Sequence, residues 1–85
     1  MSSIRWNKTI PDPLIILGQS IRKAREQLSL SQESLADKCG FDRTYISMLE
    51  RGKRNPTLLN LLKLSHGLGI SVSTLTEIFD GTKPN

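Results

Sequence analysis

Apolar residues recur along this chain of 85 residues in steps of three and four, and nowhere do they alternate convincingly in steps of two. Leu14, Leu17, Ile21, Ala24 and Leu28 mark one face of a long first helix, because such steps return to the same side of a backbone that turns about 100° per residue. A chain with this period has to bury helix against helix. Asp12 is placed to cap the first helix, and Pro13 suits its first position. A short second helix is expected at about Ser31 to Cys39. Ser31 is its cap, Leu30 and Leu35 stand at hydrophobic-staple positions, and Gly40 ends it where a left-handed residue is wanted. A third begins after Asp42 as cap, with Phe41 and Ile46 repeating the staple spacing. A fourth is expected from about Thr57 to Leu68, with Leu58, Leu61, Leu62, Ser65 and Leu68 on one face. Ser71 can cap a fifth, Val72 to Phe79. The expected fold is all-α, a compact bundle of five short helices around a leucine-rich core.

Two helices joined by a glycine-led turn of about three residues form a helix-turn-helix, here at about 31–51. Residues 1–11 show no period and read as an arm, 12–80 as one domain and 81–85 as a polar tail. At 36% hydrophobic and 24% charged residues, the composition suits one small domain. No apolar run approaches the roughly 18 residues of a membrane span, and "MSSIRWNKTIPDP" lacks the apolar stretch of a signal peptide. One cysteine, Cys39, leaves no intramolecular disulfide and no cysteine-based zinc site. A cytoplasmic protein without cofactor or metal is expected. With one histidine, no phosphate-binding glycine loop and no metalloprotease motif, catalysis finds no constellation to use.

The net charge of +4 is unevenly spread. Residues 1–25 hold five cations and one acid, 26–42 one cation and four acids, 43–63 five cations and one acid, and 64–85 one cation and two acids. Two basic blocks around an acidic one suit a polyanion if folding brings them to one face.

The third helix has the composition to read one. With Arg43 at zero on a helical wheel, Ser47 lies near about 40°, Thr44 near about 100° and Met48 near about 140°, while Ile46 and Leu49 fall near about −60° and −120°. The apolar pair points inward, and Arg43, Thr44 and Ser47 share the outer arc. Arginine matches the two acceptors of guanine, the hydroxyls accept or donate, and the methyl groups of Thr44 and Met48 can touch that of thymine. These groups sit near the helix N-terminus, the end such a motif inserts into the major groove.

The run from Leu17 to Ser71 resembles the phage-repressor-like helix-turn-helix family, also called the Cro/cI or xenobiotic-response-element family. The matching pieces are Gly18 with Ile21, Arg22 and Arg25, then "SQESLA", "YIS", "LERGKRNP" and "LLKL". "DRTYIS" and "ERGKRN" are especially similar to controller proteins of restriction–modification systems. The resemblance implies a lambda-repressor-like fold and a transcriptional regulator that binds DNA. It implies phosphate contacts from Gln32, Lys53 and Arg54, with Arg54 able to reach further, and base contacts from Arg43, Thr44, Ser47 and, at the margin, Met48. Tyr45, between the two faces, is expected at a phosphate. Arg25 and Glu50 match a structural ion pair bracing the first helix against the third. Gly67 departs from the family's usual alanine, which points to an early end or a kink in the fourth helix.

One helix reads too few base pairs for a unique address, so a two-fold homodimer on a pseudo-palindromic operator is expected. Leu75, Ile78 and Phe79 are the expected dimer interface, with burial in the core as the alternative. Occupying a promoter represses it. Activation would need a surface for RNA polymerase, and Glu33 and Asp37, four apart on the second helix, are the candidates. The competing function is an antitoxin-like interaction module that neutralises a partner and regulates itself by binding DNA, with Ile4 and Trp6 or the last helix as its partner surface. Arg51 is equally a DNA contact or an exposed cation at a helix end. Cys39 is expected in the core, and His66 has no ligand partner.

Overall fold

A computed structural model describes residues 12–80; the expected arm at 1–11, with Ile4 and Trp6, and the tail at 81–85 lie outside the described residues. Five α-helices follow in order: α1 (Pro13–Gln27), α2 (Gln32–Cys39), α3 (Arg43–Glu50), α4 (Leu58–Leu68) and α5 (Val72–Thr76), the last continued by a 3-10 turn, Glu77–Phe79. No strand occurs among the described residues.

The helix starts follow the expected chemistry with one exception. Asp12 Oδ1 accepts from the Leu14 amide at 2.8 Å, and Ser31 Oγ accepts from the Ser34 amide at 3.0 Å. Thr57 and Ser71 cap α4 and α5 in the same way. Asp42 occupies the cap position of α3, but its side chain makes no capping bond. α3 is instead held by what it packs on. Ile46 and Leu49 are fully buried with Ile21, Leu35, Leu64, Leu68 and Leu75, and Phe41 and Leu30 pack against that cluster.

α1 and α3 cross with almost no space between them. A Cβ built on Gly18 would overlap the Leu49 carbonyl oxygen and lie 2.6 Å from that of Glu50. Both are backbone atoms that cannot swing aside, so the glycine lets α3 seat against α1.

Three expectations about the helices are corrected. Leu28 is half exposed, because α1 ends at Gln27 and the chain turns away there. On α4 the buried side is Leu64, Ser65 and Leu68 with Leu61 packed against them, whereas Leu58 and Leu62 stand in solvent at 68% and 49% exposure. Four leucines on either side of Asn60, at 58, 59, 61 and 62, allow two readings of the same period, and only the docking of α4 on α2 and α5 chooses between them. The fifth helix is also shorter than expected. Ser20 Oγ on α1 donates to the Leu75 carbonyl at 2.9 Å, and the backbone tightens into the 3-10 turn immediately afterwards.

α4 runs through Gly67 to Leu68, so this glycine does not end it early. A Cβ there would overlap the Sγ of Cys39 on α2. The departure from alanine is a packing match: a thiol on one helix fills the space where its neighbour lacks a methyl group.

Candidate nucleic-acid interface

The two ends of α3 are set by backbone geometry. Before it, Gly40 adopts φ 76°, and the Phe41 amide donates to the Ala36 carbonyl at 2.9 Å, closing α2 with a left-handed cap. After it, Gly52 adopts φ 72°, its amide donates to Leu49 at 3.1 Å, and the Lys53 amide donates to Met48 at 2.8 Å. These paired bonds are a Schellman closure, and they fix where the chain carrying Lys53 and Arg54 leaves the helix. A side chain at Gly52 would also run into Ile15 of α1, with its Cβ 2.7 Å from Cγ1.

Between those ends, α3 presents the arc drawn from its sequence. Arg43 and Thr44 are exposed, Ser47 and Met48 are half buried, and Ile46 and Leu49 face the core. Lys53 and Arg54 are exposed beyond the closure. Arg51 is exposed too, but its Nε donates to the Ser47 carbonyl at 3.3 Å, which binds it to the negative end of the helix.

Behind this arc lies the Arg25–Glu50 ion pair. Arg25 Nε meets Glu50 Oε2 at 2.6 Å and Nη2 meets Oε1 at 3.0 Å, while Nη1 donates to the Leu30 carbonyl at 2.8 Å. The side chains are only 11% and 3% exposed, so the pair works in a dry setting where bidentate geometry counts. The hydrogen bonds that Arg25 donates to Glu50 raise its pKa further, against the opposing effect of burial.

Two of the residues expected at phosphates are partly engaged inside the protein. Gln32 Nε2 donates to Glu50 Oε1 at 3.1 Å, so the first residue of α2 joins the brace between α1 and α3. One side-chain N–H and the free amides of the α2 N-terminus remain for a phosphate. Tyr45 is half buried, its ring edge-on to Phe41 at 4.9 Å, and its oxygen accepts from Asn60 Nδ2 at 2.9 Å. Its hydroxyl proton is the only polar part left to donate outward. Arg54 lies over the same ring, with its guanidinium carbon 5.2 Å from the centroid. Thr44, Tyr45, Met48, Arg54 and Asn60 line one open groove beside α3. Asn60 was not anticipated: an asparagine in the first turn of a leucine-rich helix carries no sign of the tyrosine fifteen positions earlier.

Residues 21–75 match the family model HTH_3, described as helix-turn-helix. The chain belongs to this helix-turn-helix family. It is similar to the control protein C.MunI of Mycoplasma sp, being 51% identical over 69 residues, which cover 80% of this chain and 89% of that protein. Among solved structures, the restriction-modification controller protein C.AhdI from Aeromonas hydrophila is 45% identical and aligns with a TM-score of 0.72 over 73% of this chain and 94% of that one. SinR, the master regulator for biofilm formation, solved in complex with DNA, is 38% identical with a TM-score of 0.66 over 69% of this chain and 95% of that one. The helix-turn-helix resemblance drawn from "YIS" and "LERGKRNP", and its controller-protein flavour, are thus borne out. The family is one of DNA-binding transcription regulators and not of enzymes.

The expected interface triad is divided by the fold. Leu75 is 1% exposed in the core, Phe79 is half buried against that core, and Ile78 is 51% exposed. Glu33 and Asp37 are both exposed on α2.

Proposed function

We propose that this chain is a sequence-specific transcriptional regulator that binds a pseudo-palindromic operator as a homodimer and acts in the cytoplasm, without catalysis, as a controller of a restriction–modification system. The observation that carries the reading is the exposure of Arg43 and Thr44 on the outer arc of a helix whose opposite side is fully buried. Such a helix can enter a major groove without disturbing the core. Arg43, Thr44, Ser47 and Met48 meet base edges; Gln32, Lys53 and Arg54 meet phosphates, joined by the Tyr45 hydroxyl.

Footprinting on the region upstream of its own start codon tests the reading, with protection of two half-sites about 34 Å apart as the expected result. On the protected duplex, Arg43→Ala is expected to cost about 1–3 kcal/mol and to relax preference at one base pair. Lys53→Ala should weaken all sequences alike and flatten the salt dependence. If Arg43→Ala leaves specific and scrambled DNA bound as before, the base-reading face is elsewhere.

The homodimer contact is proposed on α4. Leu58, Leu59 and Leu62 are 68%, 60% and 49% exposed, a larger apolar surface than Ile78 supplies alone. Activation, where the regulator activates, is proposed to run through Glu33 and Asp37 to RNA polymerase. Reversing both charges is expected to abolish activation while operator affinity holds, and unchanged transcription would remove the assignment.

A further inference from the structure

Arg54 is the cation that lines the groove beside α3, and it is seated on another side chain. Its guanidinium lies over the Tyr45 ring at 5.2 Å from the centroid, although Arg54 itself is exposed. That ring is held from two directions: Phe41 meets it edge-on at 4.9 Å, and Asn60 Nδ2 donates to its oxygen at 2.9 Å. Asn60 is itself anchored, because its backbone amide donates to the Thr57 cap at 3.1 Å in the first turn of α4. A line of contacts therefore runs from α4 through α3 to the loop cation.

We infer that Asn60 is a positioning residue for DNA recognition: it fixes the Tyr45 ring, and the fixed ring holds the Arg54 guanidinium toward the duplex. The inference rests on the DNA-binding reading above. A free arginine loses much rotamer freedom when it engages a phosphate or a base, and a cation already resting on an aromatic face has given up part of that freedom beforehand. The amide bond to the phenol oxygen has a second effect. A hydroxyl that accepts a hydrogen bond becomes a better donor through its own proton, so Tyr45 Oη is readied for a phosphate oxygen.

The test is a double-mutant cycle. Anisotropy titrations would use the duplex protected upstream of the chain's own reading frame and a scrambled duplex of equal length. The proteins are wild type, Asn60→Ala, Tyr45→Phe, Arg54→Ala and the pairs. Asn60→Ala is expected to weaken binding about 3- to 10-fold and to add almost nothing once Arg54 is already alanine. Its salt dependence should flatten toward that of Arg54→Ala, a change that mere loss of stability does not produce. Asn60→Ser, which keeps a short donor, should recover part of the affinity. Thermal melting checks that each variant is folded. An Asn60→Ala effect that persists in full in the Arg54→Ala background would mean that Asn60 touches DNA by itself, and the assignment would be wrong. No effect of Asn60→Ala at all would also overturn it. If the unaltered protein binds neither duplex, the DNA-binding reading fails and this inference with it.

Discussion

Cys39 and Gly67 show how much a single atom can decide. Inside a helix, alanine is worth up to about 1 kcal/mol over glycine, yet the methyl group of Gly67→Ala would overlap the buried Cys39 thiol. Forcing a group into a filled core costs about 1–3 kcal/mol, so this substitution is expected to destabilise the protein. In a Cys39→Ala background the same change should stabilise it by up to about 1 kcal/mol. Denaturant unfolding of the four proteins checks the reversal of sign. Burial also pushes the Cys39 thiol above its usual pKa, with the Gly67 backbone and Lys38 partly offsetting it. Where the folded value is raised, the contribution is complete below the unfolded thiol's value and is lost as pH rises past it. Stability should therefore begin to fall above about pH 8.5. Cys39→Ala should lose less over that alkaline range, and unfolding curves at about pH 7 and pH 10 measure the difference.

At the scale of the element, α3 has only eight residues and lacks a side-chain cap bond at Asp42. A helix so short is not stable alone; it persists because α1 and α2 hold it. The Arg25–Glu50–Gln32 brace is the polar part of that hold. Removing Glu50 strands a guanidinium that is 11% exposed, so Glu50→Ala is expected to cost about 3–5 kcal/mol, seen as a large drop in the urea midpoint. Replacing both partners by apolar residues of similar size should cost far less. Arg25, with its pKa raised above an already high value, keeps its share at every ordinary pH and loses it only in strong alkali. The capped helix starts at 12, 31 and 71 were legible because a cap is a local bond between neighbours in sequence. The Asn60–Tyr45 and Gln32–Glu50 bonds were not, because each joins residues fifteen or more positions apart.

For the whole molecule, the surface left over after the core is filled decides what a second copy can touch. Leu58, Leu59 and Leu62 remain outside, and Leu75 does not. Leu62→Glu is expected to shift the protein to monomer in analytical ultracentrifugation and to weaken operator binding at least about tenfold, since paired half-sites then bind independently. Ile78→Glu should leave the dimer standing; if it alone dissociates the protein, the contact belongs to the 3-10 turn. The sequence by itself determined the helical class, the order of five helices, the caps at Asp12, Ser31 and Ser71, the outward arc of Arg43 and Thr44, and the inward pair Ile46 and Leu49. All of these follow from local bonds and a period of about 3.6 residues. Only the tertiary structure decided which leucines of α4 are buried, that Leu75 is core, that Gly67 makes room for a thiol, and that Tyr45 and Gln32 are engaged from within. A helical period shows which residues share a face, but which of two apolar faces turns inward depends on the partner that covers it.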